Sequence, residues 1–247
     1  MNEEINNRRK KKINLMEIFI PLFCLINQYE IAGLHLGLIS VIAVVGIYFI
    51  KYREIYLYKP LFALFLFMIL HDCFRMFITG FNAGLWVERV FYLFVLSCIC
   101  TKVDEENLFR AWKIIGTIAM LGIFFQSFQV YILGQSVSTI NIFPFLQSSS
   151  ENYLLSYDRP HTFFLEPAAY CTWMLPFLCM CMKRKKHIWM IFISISILLS
   201  TSSTGILMTG VIWLFYAFIS ARNEGKYFNS LMIVGVLIIG IGDAFLV

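Results

Sequence analysis

Charge is what this sequence has least of. Asp, Glu, Lys and Arg make up 14 % of its 247 residues, against about 25 % in soluble domains, and the chain offers no soluble domain. The imbalance toward base, 20 Lys and Arg against 15 Asp and Glu, does not amount to a nucleic-acid face. The basic residues come in short clusters between apolar runs, where the positive-inside rule expects them. The seven cysteines lie in apolar runs as well, with two C-x-C pairs (Cys98 and Cys100, Cys179 and Cys181) and no C-x-x-C. Neighbours two apart on a helix point to different faces, which argues against a zinc site or a disulfide framework. No small-residue cleavage pattern follows the first apolar run, so that run reads as a retained helix rather than a signal peptide.

What is present is apolar. Hydrophobic residues are 60 % of the chain and aromatics 17 %, with a mean hydropathy of +0.75. Runs of the length a helix needs to cross about 30 Å of hydrocarbon recur throughout. The expected fold is therefore all-α, a polytopic transmembrane helix bundle of about nine spans forming one integral membrane domain over 1–247. Spans are expected at 13–29, 31–50, 60–79, 84–100, 114–134 and 160–182, two more between His187 and Arg222, and a ninth from Tyr227. Asn27 to Glu30 read as a tight outer turn, 101–113 as a solvated, partly helical segment, and 135–158 as an outer loop. Residues 1–12 form a basic cytoplasmic tail.

Seventeen of the twenty Lys and Arg fall in the tail and the four inner loops of this scheme, which sets the N-terminus inside. The three exceptions, Arg75, Arg89 and Arg159, fall in the outer half or at the outer end of a span. Charge inside a span costs a few kcal/mol and usually faces the bundle interior or a watery cavity. Three arginines at one level point to an outward-facing anionic site, since the guanidinium fork suits phosphate. The plainer reading is that Arg75 pairs with Asp72, Arg89 with Glu88, and both reach to the interface.

Arg159 opens the stretch DRPHTFFLEPAAY. Pro160 suits a first helical position, which would set Arg159 at the cap and Glu166 about 10 Å deeper on nearly the same face. Pro167 would then kink the helix beside that carboxylate. Glu166 is the candidate for proton transfer from an acceptor hydroxyl, or else a structural carboxylate bonded to a neighbouring helix. His161, near the interface, reads as a solvated side chain or an accessory group. Downstream, the 35 residues between Lys186 and Arg222 would cover about 52 Å as helix, less than the roughly 60 Å of two crossings. The turn Ser200, Thr201, Ser202, Ser203, Thr204, Gly205 must therefore be sunk below the outer surface, either to bind a sugar or phosphate or to pack helices closely.

Arg159 at the outer start of a span, Glu166 with Pro167 inside it, and the turn carrying Ser200, Ser202, Ser203 and Gly205 together resemble the O-antigen polymerase and O-antigen ligase families of bacterial polysaccharide assembly. The likeness covers residues 157–215. It implies a multi-pass protein of the bacterial cytoplasmic membrane, and a metal-independent, cofactor-free glycosyltransferase that polymerises glycan units carried on undecaprenyl pyrophosphate. Arg159 would neutralise the leaving pyrophosphate, with Glu166 as base or acceptor-positioning group. Arg75 and Arg89 would be supporting cations, and His161, Ser200, Ser202 and Ser203 would line the substrate pocket. Lipid-linked oligosaccharide, membrane lipids and other polysaccharide-assembly proteins are the implied partners, with no nucleic acid. Family members have more spans and a further outer loop, so the chain is expected to be C-terminally truncated. A lipid-glycan transporter or flippase, or a noncatalytic membrane partner, stays open beside the enzyme.

Overall fold

The structure, a computed structural model, describes residues 14–31, 34–53, 57–79, 83–143, 146–148 and 158–224. The expected tail at 1–12 and the ninth span from Tyr227 lie outside the described residues. The fold is all-α in its bulk, with eight α-helices among the described residues: α1 Leu15–Ile26, α2 Leu36–Tyr52, α3 Lys59–Thr79, α4 Ala83–Ile99, α5 Glu105–Tyr131, α6 Pro167–Lys183, α7 His187–Leu199 and α8 Ser203–Glu224. Among the described residues two helices, α5 and α8, are long and apolar enough to cross a membrane by length and composition, and several shorter ones are apolar.

The contacts divide the described chain into two compact units, one of residues up to 112 with 146–148, the other of 113–143 and 158–224. In the first, Met16, Val41, Val44, Tyr48, Val95 and Ile99 form the core. Glu17 ties it together at one end. Its fully buried carboxylate accepts the N–H of Asn14 at 2.6 Å and of Asp104 at 3.1 Å. It thereby serves the start of α1 and the residue that caps α5. Asp104 in turn accepts N–H bonds from Glu106 and Asn107 at 3.0 and 3.2 Å, and Glu105 and Glu106 sit where the helix dipole favours acid. These caps explain why most of 101–113 is not a separate solvated segment: after a 3-10 turn at Cys100–Lys102, α5 begins at Glu105 and runs on through the expected fifth span.

The expected turn at Asn27–Glu30 is also more than a turn. Tyr29–Ile31 forms a strand β1 paired antiparallel with β2, Leu34–His35. A further strand, β3 at Gln147–Ser148, pairs antiparallel with the other edge of β1, so part of the expected outer loop is held by the first unit.

The second unit is built on α6. Tyr170, Cys171, Met174, Phe177, Leu178 and Cys181 have no exposed surface and recur at the three- and four-residue spacing that makes one helical stripe. Met190, Ile193 and Ile197 of α7, equally buried, supply a second apolar stripe for this core. Polar side chains satisfy one another here: the Tyr170 hydroxyl donates to Ser196 at 2.7 Å inside the core, and the indole N–H of Trp213 on α8 donates to the half-buried Ser194 hydroxyl at 2.9 Å. Gly205 lets α8 approach α6, because a Cβ there would strike the Cys171 side chain.

The outer faces are apolar too. On α5 the exposed Ile114, Ile118, Leu121, Phe125 and Phe128 alternate spacings of four and three, one continuous stripe, and α8 exposes Leu207, Phe215, Phe218 and Ile219. A water-soluble surface rarely carries apolar area of that extent.

Candidate functional site

Helix α6 starts at Pro167, not at Pro160. Glu166 is the cap, with φ −141° and ψ 147°. Pro167 takes the first helical position, where its missing N–H costs nothing; in a helix continuing from Pro160 its ring would have clashed with the carbonyl of Phe163. The expected kink is therefore a helix start, and 158–166 is non-helical chain leading into it.

That segment is held by a side chain the sequence reading passed over. Gln126, on α5 and almost fully buried, accepts the N–H of His161 at 2.8 Å and of Thr162 at 2.6 Å. Its amide donates to the carbonyl of Ser138 at 3.0 Å. Thr162 is in the left-handed region at φ 50°, a costly place for a β-branched residue. Its carbonyl accepts the N–H of Ile140 at 2.8 Å, and its side chain lies against Gly122, where a Cβ would collide with it. The signal that could have revealed Gln126 is its isolation: a primary amide in the run IFFQSF.

His161 is fully buried rather than solvated. Nδ1 lies 2.8 Å from the carbonyl of Arg159 and Nε2 lies 3.1 Å from the Thr139 hydroxyl. A carbonyl only accepts, so Nδ1 carries the proton, and Nε2 faces the Thr139 hydroxyl, which also lies 3.4 Å from the Phe164 carbonyl. Burial pushes the imidazole below its usual pKa, partly offset by the bond to Arg159. The ring is a neutral brace on the backbone of Arg159, and it does not line the cleft.

The cleft itself, about 620 Å³, is lined by Asp158, Arg159, Glu166, Pro167, Ala168, Ser202, Ser203 and Thr204. Arg159 and Glu166 are both exposed there. They are not paired with each other or with another described residue in an ion pair, and the Glu166 carboxylate makes no capping bond to α6. Two helices start at this cleft, α6 at Pro167 and α8 at Ser203. Ser202 is buried and caps α8, its hydroxyl accepting the N–H of Gly205 at 3.2 Å. Ser203 and Thr204 are exposed. Ser200 turns inward instead, buried with its hydroxyl 2.9 Å from the Cys171 sulfur and donating to Ile197 at 2.7 Å.

Of the proposed site residues the structure thus brings together Arg159, Glu166, Ser202 and Ser203, adds Thr204 and Asp158, and removes His161 and Ser200 from the lining. Arg75 lies on α3 and Arg89 on α4; their side chains are outside the described residues. Among the described residues no three His, Cys, Asp or Glu side chains cluster as metal ligands.

The cleft opens on one guanidinium, two carboxylates (Asp158 and Glu166), hydroxyls and two helix N-termini, a set suited to a hydroxyl-bearing ligand whose anionic part lies against Arg159. Comparison with known proteins names no such ligand. Neither protein-family models, nor curated proteins, nor solved structures match this chain.

Proposed function

We propose that the chain is a multi-pass glycosyltransferase of the cytoplasmic membrane, of the O-antigen polymerase type, which extends glycans carried on undecaprenyl pyrophosphate. The observation that carries the reading is the meeting of Arg159, Glu166 and the Ser202–Ser203–Thr204 turn in one cleft. These side chains come from sequence segments more than thirty residues apart. The membrane part rests on the exposed apolar stripes of α5 and α8 and on the inner placement of the basic clusters. On that topology the N-terminus is inside and the cleft faces outward.

In this site the Arg159 guanidinium takes the phosphate next to the sugar, and the positive ends of α6 and α8 add to it. Glu166 accepts the proton of an acceptor hydroxyl as that oxygen forms its bond to the anomeric carbon. The anomeric carbon–oxygen bond to phosphate breaks, and the pyrophosphate leaves with the pair of electrons, its growing charge met by Arg159. Ser203 and Thr204 offer hydroxyls to the sugar. Ser202 and His161 act at one remove, by capping α8 and by bracing Arg159. Arg75 and Arg89 are assigned as supporting cations from their places at the outer ends of the third and fourth spans.

Replacing Arg159 by Ala in cells whose polymer depends on this protein is expected to stop chain extension at normal expression, with Arg159→Lys restoring only part of it, because an ammonium lacks the bidentate fork. Polymer of normal length from Arg159→Ala would remove the assignment. Labelling of a cysteine at Lys185 from outside the cell would overturn the orientation.

A further inference from the structure

We propose that the groove between the C-terminal half of α6 and α8 is a binding site for an anionic phospholipid of the inner leaflet. It is a second cavity, about 640 Å³, towards the other end of the two helices that start at the Arg159 cleft, with Lys183 and Lys185 in its lining together with Ser220 and an apolar wall that includes Ile212, Phe215 and Ile219. The helices run parallel: Gly205 near the start of α8 packs on Cys171 near the start of α6. Equal steps along each bring Ser220 level with the Lys183–Lys185 end, while Ile212 lies about 10 Å further along the groove from Ile219. The groove is therefore cationic and hydroxylated at one end and apolar along its length, the complement of a phosphodiester headgroup followed by an acyl chain. Among the described residues no carboxylate lines it, and Phe215 and Ile219 are 64 % and 56 % exposed, so the described chain does not close the wall.

The turn after α6 is built to hold the cation in place. Lys186 donates to the carbonyl of Cys181 at 2.9 Å and Lys185 to that of Met182 at 3.0 Å, the paired bonds of a Schellman ending. Its left-handed position, φ 52°, is occupied by Lys185, where glycine would be free of strain. Basic pockets between helices on the cytoplasmic side are suited to phosphate headgroups.

This inference rests on the membrane topology proposed above and not on the glycosyl-transfer chemistry. The test is native mass spectrometry of the detergent-purified full chain after exposure to phosphatidylglycerol, to phosphatidylcholine, or to glycerol phosphate alone. The intact chain should retain phosphatidylglycerol about tenfold better than phosphatidylcholine, and retain glycerol phosphate poorly, since both ends of the groove are needed. Lys183→Gln with Lys185→Gln should abolish the preference, while Lys51→Gln with Lys102→Gln, at a separate basic cluster, should keep it. Phe215→Ser should weaken retention of both lipids, independently of charge. Equal retention of the two lipids by the intact chain, or an unchanged preference in the Lys183 and Lys185 variant, would overturn the proposal. A disulfide formed in high yield between Cys179 and a cysteine introduced at Leu237 would also overturn it, by showing that the chain's own later segment fills the groove. A chain that stays in solution without detergent would instead remove the topology on which the inference stands.

Discussion

Replacing Gln126 by leucine keeps the apolar character and nearly the volume of its place on α5 but removes the acceptor that holds the segment before α6. The N–H groups of His161 and Thr162, bonded to it at 2.8 and 2.6 Å, lose their partner, and the carbonyl of Ser138 loses its donor. A buried donor left unpaired costs about 1–3 kcal/mol, so the two N–H groups together cost roughly 2–6 kcal/mol, less whatever water recovers. Thr162 stores a further 1–3 kcal/mol or so of backbone strain, which opening of the segment releases. Even the lower figure, about 2 kcal/mol, raises the opening equilibrium by roughly thirtyfold. Hydrogen–deuterium exchange on the detergent-purified protein reads this directly. Amides of 158–166 should lose protection by at least that factor in Gln126→Leu, with α7 and the body of α6 unchanged. Protection of 158–166 equal to the parent's would refute the reasoning, because it would mean that the segment is held by something other than Gln126.

Two further outcomes follow from the same unit. Gly205→Ala puts a methyl into the Cys171 side chain, and is expected to cost about 1–3 kcal/mol as overpacking, seen as a lowered thermal midpoint; an unchanged midpoint would mean that α6 and α8 do not approach so closely. The His161 pKa is depressed by burial, so its contribution to stability is fully present above the ordinary histidine value of about 6.5 and declines as pH falls below it, because the opened segment then binds a proton that the closed one does not. Exchange of 158–166 should rise on acidification from pH 7 toward 5 in the parent and lose that component in His161→Asn; a pH-independent opening in the parent would contradict the buried neutral ring.

How far the sequence could be read depended on whether the deciding forces were local. Hydropathy places α3 at Lys59–Thr79 and α4 at Ala83–Ile99 within a residue of the expected spans, and the basic run from Lys183 ends α6 as expected, because a helix's apolar length and its charged ends are properties of one segment. The start of α6 was not legible that way. Pro160 and Pro167 both qualify as first helical residues, and what accompanies the choice is the Gln126 amide about thirty-five residues upstream. Likewise, the pairing of Gln147–Ser148 with Tyr29–Ile31 and the bond from Glu17 to Asp104 join positions whose sequence contexts carry no trace of each other. In the site, Arg159, Glu166 and Ser203 stood out as polar groups in apolar surroundings. Ser200 and His161 stood out for the same reason, yet both turn inward, because a buried hydroxyl or imidazole that finds a partner looks the same in sequence as one that faces a ligand.

The central claim is that the Arg159–Glu166 cleft transfers glycans between lipid carriers. The most direct measurement supplies detergent-purified protein with an undecaprenyl-pyrophosphate-linked oligosaccharide, without sealed vesicles, and follows product length. Longer glycans are expected from the parent, none from Arg159→Ala, and a severe loss with Glu166→Gln. Product unchanged in length with the parent protein, while sealed vesicles containing it move the same lipid across the bilayer, would contradict the claim and make the protein a carrier.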